Sequence, residues 1–498
     1  MHERHHHHLN EQHHPAIRIP LANRAIVSEL LGREIHHTPA SSNAEQYPHK
    51  HKWDVLFAVM MKARYGHAED AVREILDLFA GQRDDGLVPS PQFVENLRDI
   101  DLERETFTDR DASEYGQPPI EALAALKVYE GLMIEDKQDQ GEEFLLNIYS
   151  KLAASYTYFA RDRQHADPRI KLIFNTHPSE TGRDSDPTFD FFKVRLPTFG
   201  ENTPHLIQEA NRVTNFFSMI ALNEMNRQDG WETQKIRERF EVYDVMFNCM
   251  YAENLNHMAT LAKELAAIAV REGDETAYLK LSEDAEHWQQ LASTVEQQIL
   301  DLMWFENTNP KNPVKGLFLA LKPEGPIEEV SISNLFPLIL PNLRQEQLES
   351  ILFLLDNYFC PKDIVELPIP SVPPINPITN RPNRKYDPYN GERDTLWRGD
   401  TWMNTNWYLV KRGLAMQASR ADLQHSPDLI EKCNHYISFI SERSYKTVVG
   451  VGSWEHYGPE DARPHRTDKS PNFAWSGLAY WLYEDFLAAD RDSLALAA

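Results

Sequence analysis

The chain is poor in cysteine, with only Cys249, Cys360 and Cys433 in 498 residues, far apart and without a Cys-x-x-Cys pair. That argues against a disulfide scaffold or a cysteine-based zinc site, and it suits a reducing compartment where thiols pack as small apolar groups. Basic clusters are missing too. With 51 Lys and Arg against 76 Asp and Glu, the formal net charge is −25. Counterion release needs clustered cations, so neither nucleic acid nor an anionic membrane is expected as a partner. The acidic exterior reads as a solubility feature. No run of about 18 apolar residues occurs and the N-terminus lacks an apolar signal core, so a cytoplasmic location is expected. Alternating apolar runs are scarce, which argues against a large sheet. Internal repeats are absent, which argues against a solenoid.

Helical periodicity is what the sequence has instead. From Leu255, apolar residues fall at Met258, Leu261, Leu265 and Ile268, close to one face of a 3.6-residue period, with Gly273 as a stop. Trp288, Leu291, Val295, Ile299 and Leu302 repeat the pattern. Between Trp53 and Ala80 a long apolar stretch broken by Gly66 predicts two antiparallel helices, and Phe473 to Leu487 predicts an aromatic-rich one. Such pairs recur about six times, which predicts an all-α double ring, an (α/α)6 barrel, whose loops converge on one mouth. Residues 1–20, with His5 to His8, His13 and His14, read as a disordered tail, and 21–498 as one domain. The Pro-rich stretch from Leu367 to Asp394 is expected to cover the mouth as a lid or rim.

Several loop-like segments mix aromatics, carboxylates and amides, as a sugar pocket requires. Aromatic rings cover the apolar face of a pyranose, and carboxylates and amides take its hydroxyls. The segments are Trp53-Asp54, Gly81-Gln82 to Pro89, His177-Pro178 to Pro187, Trp397 to Trp402, and Ser453 to Pro459. Taken singly, each has an ordinary structural reading: a buried Trp is usually core, and an Asp between Gly and Pro is usually a turn.

In order and spacing, these segments resemble glycoside hydrolase family 63, especially its short bacterial members that hydrolyse mannosylglycerate or glucosylglycerate. Tyr47-Pro48 with Trp53-Asp54 resembles the family's first substrate loop, and Gly81-Gln82 with Asp85-Gly86-Leu87-Val88-Pro89 its second. Gln117-Pro118-Pro119 resembles a third, which contributes an amide. His177-Pro178-Ser179-Glu180-Thr181-Gly182-Arg183-Asp184-Ser185-Asp186-Pro187 is similar to the segment carrying the family's general acid. Trp397-Arg398-Gly399, with Trp402, Asn406 and Trp407, resembles the Trp-Arg-Gly-Pro signature, and Glu455 with Tyr457 and Pro459 resembles the segment of the general base.

The resemblance implies an inverting α-glycosidase with Asp184 as general acid and Glu455 as general base. It implies sugar binding by Tyr47, Trp53, Asp54, Gln82, Gln117, His177, Glu180, Gly182, Trp397, Arg398 and Trp402. No cofactor and no metal are expected, and the partner is a small glycoside; self-association into a homo-oligomer is left open. An acid of this kind needs a raised pKa, for which burial and the nearby Asp186 and Glu180 are candidate causes. The chain departs from the pattern at Lys52, Ser179, Arg183, Asp186, Leu396 and Asp400, the last standing where proline is usual. Lys52 and Arg183 are either receptors for an anionic aglycone such as glycerate or solvated surface charges. Neutral substrates such as trehalose, sucrose, glucosylglycerol or an α-glucosyl oligosaccharide form a second reading, and a catalytically silent sugar-binding protein a third.

Overall fold

Helices in the computed structural model divide into two kinds, and the division follows burial. The structure describes residues 14–16, 18, 25–28, 33–43, 47–93, 112–194, 216–388, 396–465 and 470–497. Helix α1 (Lys52–Arg64) is buried at every position from Lys52 to Ala63. The next helix, α2 (Ala68–Phe79), opens with Glu69 and Asp70 and turns Ala71, Ile75, Leu78 and Phe79 inward. A helix buried all round belongs to the interior, and one with a single apolar stripe lies outside it.

The same alternation continues along the chain. Helix α3 (Glu121–Ile134) buries its first five residues, and α4 (Gln138–Asp162) buries a periodic stripe through Phe144, Ile148, Leu152 and Phe159. After α5 (Phe216–Gln228) and the short α6 (Thr233–Arg239), α7 (Val245–Glu272) is buried without a break from Val245 to Leu255. Its partner α8 (Glu275–Leu302) buries only a stripe that includes Trp288, Val295 and Ile299. Then follow α9 (Gln345–Leu354), the buried α10 (Met403–Trp407), α11 (Pro427–Val451) and α12 (Leu478–Ala497). Helices α1 and α3 approach closely at Gly131, where a Cβ would lie 2.8 Å from the Ala63 carbonyl oxygen. Strands are confined, among the described residues, to four antiparallel two-stranded pairs.

Local chemistry explains the helix limits. Asp244 caps α7 by accepting from the Phe247 amide at 2.9 Å. Gly273, at φ +76°, closes α7, and Asp274 caps α8 through the Ala277 amide. Gly66, at φ +83°, turns the chain between α1 and α2, as the break in the apolar run predicts. Cys249, Cys360 and Cys433 are buried thiols, in keeping with an apolar packing role.

Two expectations need correcting. Residues 1–13 of the predicted tail lie outside the described residues, but His14 stacks on Tyr65 at 4.2 Å and pairs with Glu484 at 2.6 Å, and Ala16 is fully buried. The docked chain therefore begins before residue 20. The Pro-rich stretch is not a lid over its first half. Leu367 to Pro374 is buried, because Asn406 takes the Ile369 amide and Pro368 carbonyl while the Ser371 backbone bonds Ile332 and Asp400. The stretch reaches the surface at the hairpin pairing Ile375–Asn376 with Arg381–Pro382 and again at Arg384; residues 389–394 lie outside the described residues.

Candidate active site

The N-terminal ends of the interior helices supply the first groups of the site. Asp54 sits in the first turn of α1, Gln117 just before α3, and Trp402 at the start of α10. The Gln117 side-chain oxygen accepts from the Trp53 amide at 3.1 Å, which ties the first and third predicted loops together. Gly182, at φ +69°, lies flat against the Trp53 ring, and any Cβ there would collide with the indole. Trp53 also lies edge-on to Trp475 at 5.6 Å, and Trp475 donates its indole N–H to the Glu455 carbonyl at 3.0 Å. Through these contacts Trp53 bridges the Asp184 segment to the Glu455 segment.

Asp54, Asp184 and Glu455 form one electrostatic cluster. Burial raises the Asp184 pKa to about 6, and the charge of Glu455 adds to the rise. Burial also pushes Asp54 well above the usual carboxylate range, with contributions from Glu455 and Asp184. Glu455 is buried, and its Oε1 accepts a 2.6 Å hydrogen bond from the Tyr47 hydroxyl. Tyr47 is held edge-on by Phe473 and His51. Burial lowers the His51 pKa to about 4 even though Glu455 pulls it upward, so near neutrality this imidazole is uncharged beside the cluster. His51 was not singled out in the sequence. Only its place four residues after Tyr47 and directly before Lys52-Trp53-Asp54 hints at it.

The expected neighbours of Asp184 do not raise its pKa. Arg183 pairs with both Asp186 and Asp244, all three fully buried, so Asp186 faces a cation. Glu180 is bound by Arg163 at 3.1 Å and by the Thr176 amide at 2.6 Å. Arg183 and Lys52 are therefore neither solvated charges nor free receptors for an anion. Lys52 is sealed against Glu121 at 2.5 Å with almost no exposure.

Other residues expected to bind sugar are already engaged by the protein. Gln82 donates to the Gly86 and Lys151 carbonyls, bracing its turn. His177 stacks on Tyr115, accepts from the Ser179 amide through Nδ1, and places Nε2 3.2 Å from the Met219 carbonyl. Arg398 forms a two-pronged pair with Asp190, at 2.5 and 3.1 Å. Trp402 is sandwiched between Trp397, at 4.0 Å and nearly parallel, and His456, at 4.6 Å. Trp397 anchors its own loop by donating its amide to the Ser185 hydroxyl, one residue past Asp184. Backbone bonds between Thr401 and Tyr457 then join this loop to the Glu455 segment.

Residues 47–476 match the sequence profile of the mannosylglycerate hydrolase MGH1-like glycoside hydrolase domain. The chain belongs to this family. It is a glycoside hydrolase. Among solved structures it is similar to a family 63 mannosylglycerate hydrolase from Thermus thermophilus in complex with Tris and D-glycerate. That match has a TM-score of 0.70 and 20% identity, covering 95% of this chain and 99% of that one. The structure in complex with glucose matches with a TM-score of 0.65 and 20% identity, over 94% and 98% of the two chains. No curated protein matches the chain. The shared fold is the (α/α)6 barrel, and the alternation of interior and outer helices is its signature here. Among the described residues no helix is long and apolar enough to cross a membrane.

Proposed function

We propose that this glycoside hydrolase inverts a small α-glucoside or α-mannoside, with Asp184 as general acid and Glu455 as general base. The observation that carries the reading is the cluster of Asp184, Glu455 and Asp54, in which burial raises the Asp184 pKa to about 6. An acid at that value keeps a useful protonated fraction close to neutrality and remains strong enough to protonate a departing glycosidic oxygen. Glu455, held by the Tyr47 hydroxyl, takes a proton from water. The resulting hydroxide equivalent attacks the anomeric carbon from the face opposite the leaving group, the C–O bond breaks, and the Asp184 proton goes to the aglycone oxygen. Inverting enzymes place the two carboxyl groups roughly 6.5–9.5 Å apart to admit that water. Asp54, whose pKa burial raises, is placed to hydrogen-bond a sugar hydroxyl. Gln82, His177, Glu180, Arg398 and Trp402 hold the loops that shape the pocket.

Glucosylglycerate or mannosylglycerate is the substrate the family favours, and D-glycerate and glucose are ligands of the similar Thermus enzyme. One observation favours a neutral aglycone as the second reading: Lys52 and Arg183 are both consumed by buried carboxylates. Comparing kcat/KM across glucosylglycerate, mannosylglycerate, glucosylglycerol and trehalose tests the choice. The glycerate reading expects the two acids to exceed glucosylglycerol by at least about tenfold, since a charged hydrogen bond contributes roughly 1.5–3 kcal/mol. Equal or lower values for the acids would remove it in favour of the neutral substrate.

A further inference from the structure

Behind the Glu455 segment lies a group of side chains that the hydrolytic reaction does not use. Asp400 presents Oδ2 to two imidazoles, His456 and His465, each through Nδ1, and the His465 contact is 2.8 Å. The three ligand-type atoms lie within 4.8 Å of one another. Asp400 and His456 are fully buried, and His465 keeps 13% of its side chain exposed, leaving a way in from solvent. His456 Nε2 is buried without a hydrogen-bond partner.

All three are held from behind. Trp402 covers one face of His456, the His465 amide bonds the His456 carbonyl at 3.1 Å, and the Asp400 carbonyl accepts from Ser371 at 2.9 Å. Two imidazoles and a carboxylate, fixed by surrounding contacts, are a donor set for a borderline transition ion rather than for Ca2+ or Mg2+, which prefer oxygen.

We propose that Asp400, His456 and His465 bind a divalent transition ion, with Zn2+ the best chemical fit, which clamps the Trp397–Trp402 loop to the segment carrying Glu455. Three protein ligands leave a fourth position for water on the His465 side. With metal–ligand bonds of roughly 2.0–2.1 Å, tetrahedral donors stand about 3.3 Å apart. Loading therefore opens the His465–Asp400 contact by about half an ångström, at the rim where His465 can move, and the shorter His456–Asp400 contact by more. The site goes beyond the hydrolase reading and stands whichever carboxylate acts as acid.

The test uses the full chain, stripped with chelator and titrated with Zn2+, alongside Asp400→Asn and His465→Ala. The N-terminal histidines also take up metal, but equally in all three proteins, so the differences report this site. The expected result is one more bound equivalent in the parent than in either variant. A Zn2+-dependent rise in Tm of about 2 °C or more should appear only in the parent. Equal uptake and equal Tm response in parent and variants would overturn the site, as would the same response to Ca2+. Should Asp400→Asn not fold, His465→Ala, altered at the exposed rim, decides the matter by itself.

Discussion

Within eleven residues, His177 to Pro187, the chain places three carboxylates and treats them in two ways. Glu180 and Asp186 are fully buried, and each is neutralised by an arginine, Arg163 or Arg183. Asp184, between them, has no lysine or arginine pairing with it among the described residues and shares its surroundings with Asp54 and Glu455 instead. A buried charge that is paired and hydrogen-bonded is tolerable, and one that is not has its pKa moved. The paired acids hold the loop in place. The unpaired one is left able to exchange a proton near neutral pH.

The sharpest way to break that contrast is to remove the acid. Asp184→Asn should lower kcat by about 10²–10⁴-fold, the usual contribution of a positioned acid, with Glu455→Gln falling as far. Steady-state rates on any hydrolysed glycoside check this, and near-parental turnover in either variant would remove that residue from its role. On the paired side, Arg183→Met leaves Asp186 and Asp244 buried without their cation. It should cost about 3–5 kcal/mol of stability, read by urea unfolding. A loss below about 1 kcal/mol would mean the pair is not the brace described here.

The two kinds of acid also differ in sign when stability is followed against pH. Between the ordinary value of 3.8 and about 6, folded Asp184 keeps a proton that the unfolded chain has released. Its contribution to stability therefore falls as pH rises through that window, and above it the folded protein bears the full penalty of a buried charge. Asp184→Asn should accordingly be more stable than the parent at pH 7, by on the order of 1–3 kcal/mol, with the difference closing below about pH 4. A less stable variant at pH 7 would show that Asp184 is held by stabilising contacts like its neighbours. The smallest expected effect is that of Tyr47→Phe, which deletes the hydrogen bond to Glu455. A decrease of about tenfold in kcat with little change in KM is expected, and an unchanged rate would show that the bond does not position the base.

Much of this was legible in the sequence where the signal is local. The Leu255–Ile268 stripe with its Gly273 stop and the turn at Gly66 both reappear in the fold. What could not be read was the pairing of charges across long separations. Lys52 meets Glu121 69 residues on, and Arg183 meets Asp244 61 residues on, so neither the solvated nor the anion-binding reading of those cations anticipated its partner. The prolines from Leu367 onward suggested a lid or rim over the mouth. Proline removes backbone donors, but here Asn406 and Ser371 satisfy remaining polar groups and let the segment run inside. Asp400, His456 and His465 escaped notice as a group because 56 residues separate the aspartate from the nearer histidine.

The central claim, that Asp184 and Glu455 act as an acid and base on opposite faces of the bond, is tested most directly by following the first-formed anomer. Proton NMR of an α-glucoside or α-mannoside during early turnover should show the β-sugar appearing first and the α-anomer only later by mutarotation. Release of the α-anomer first would contradict the account, because it requires a carboxylate acting as nucleophile rather than as a base on water.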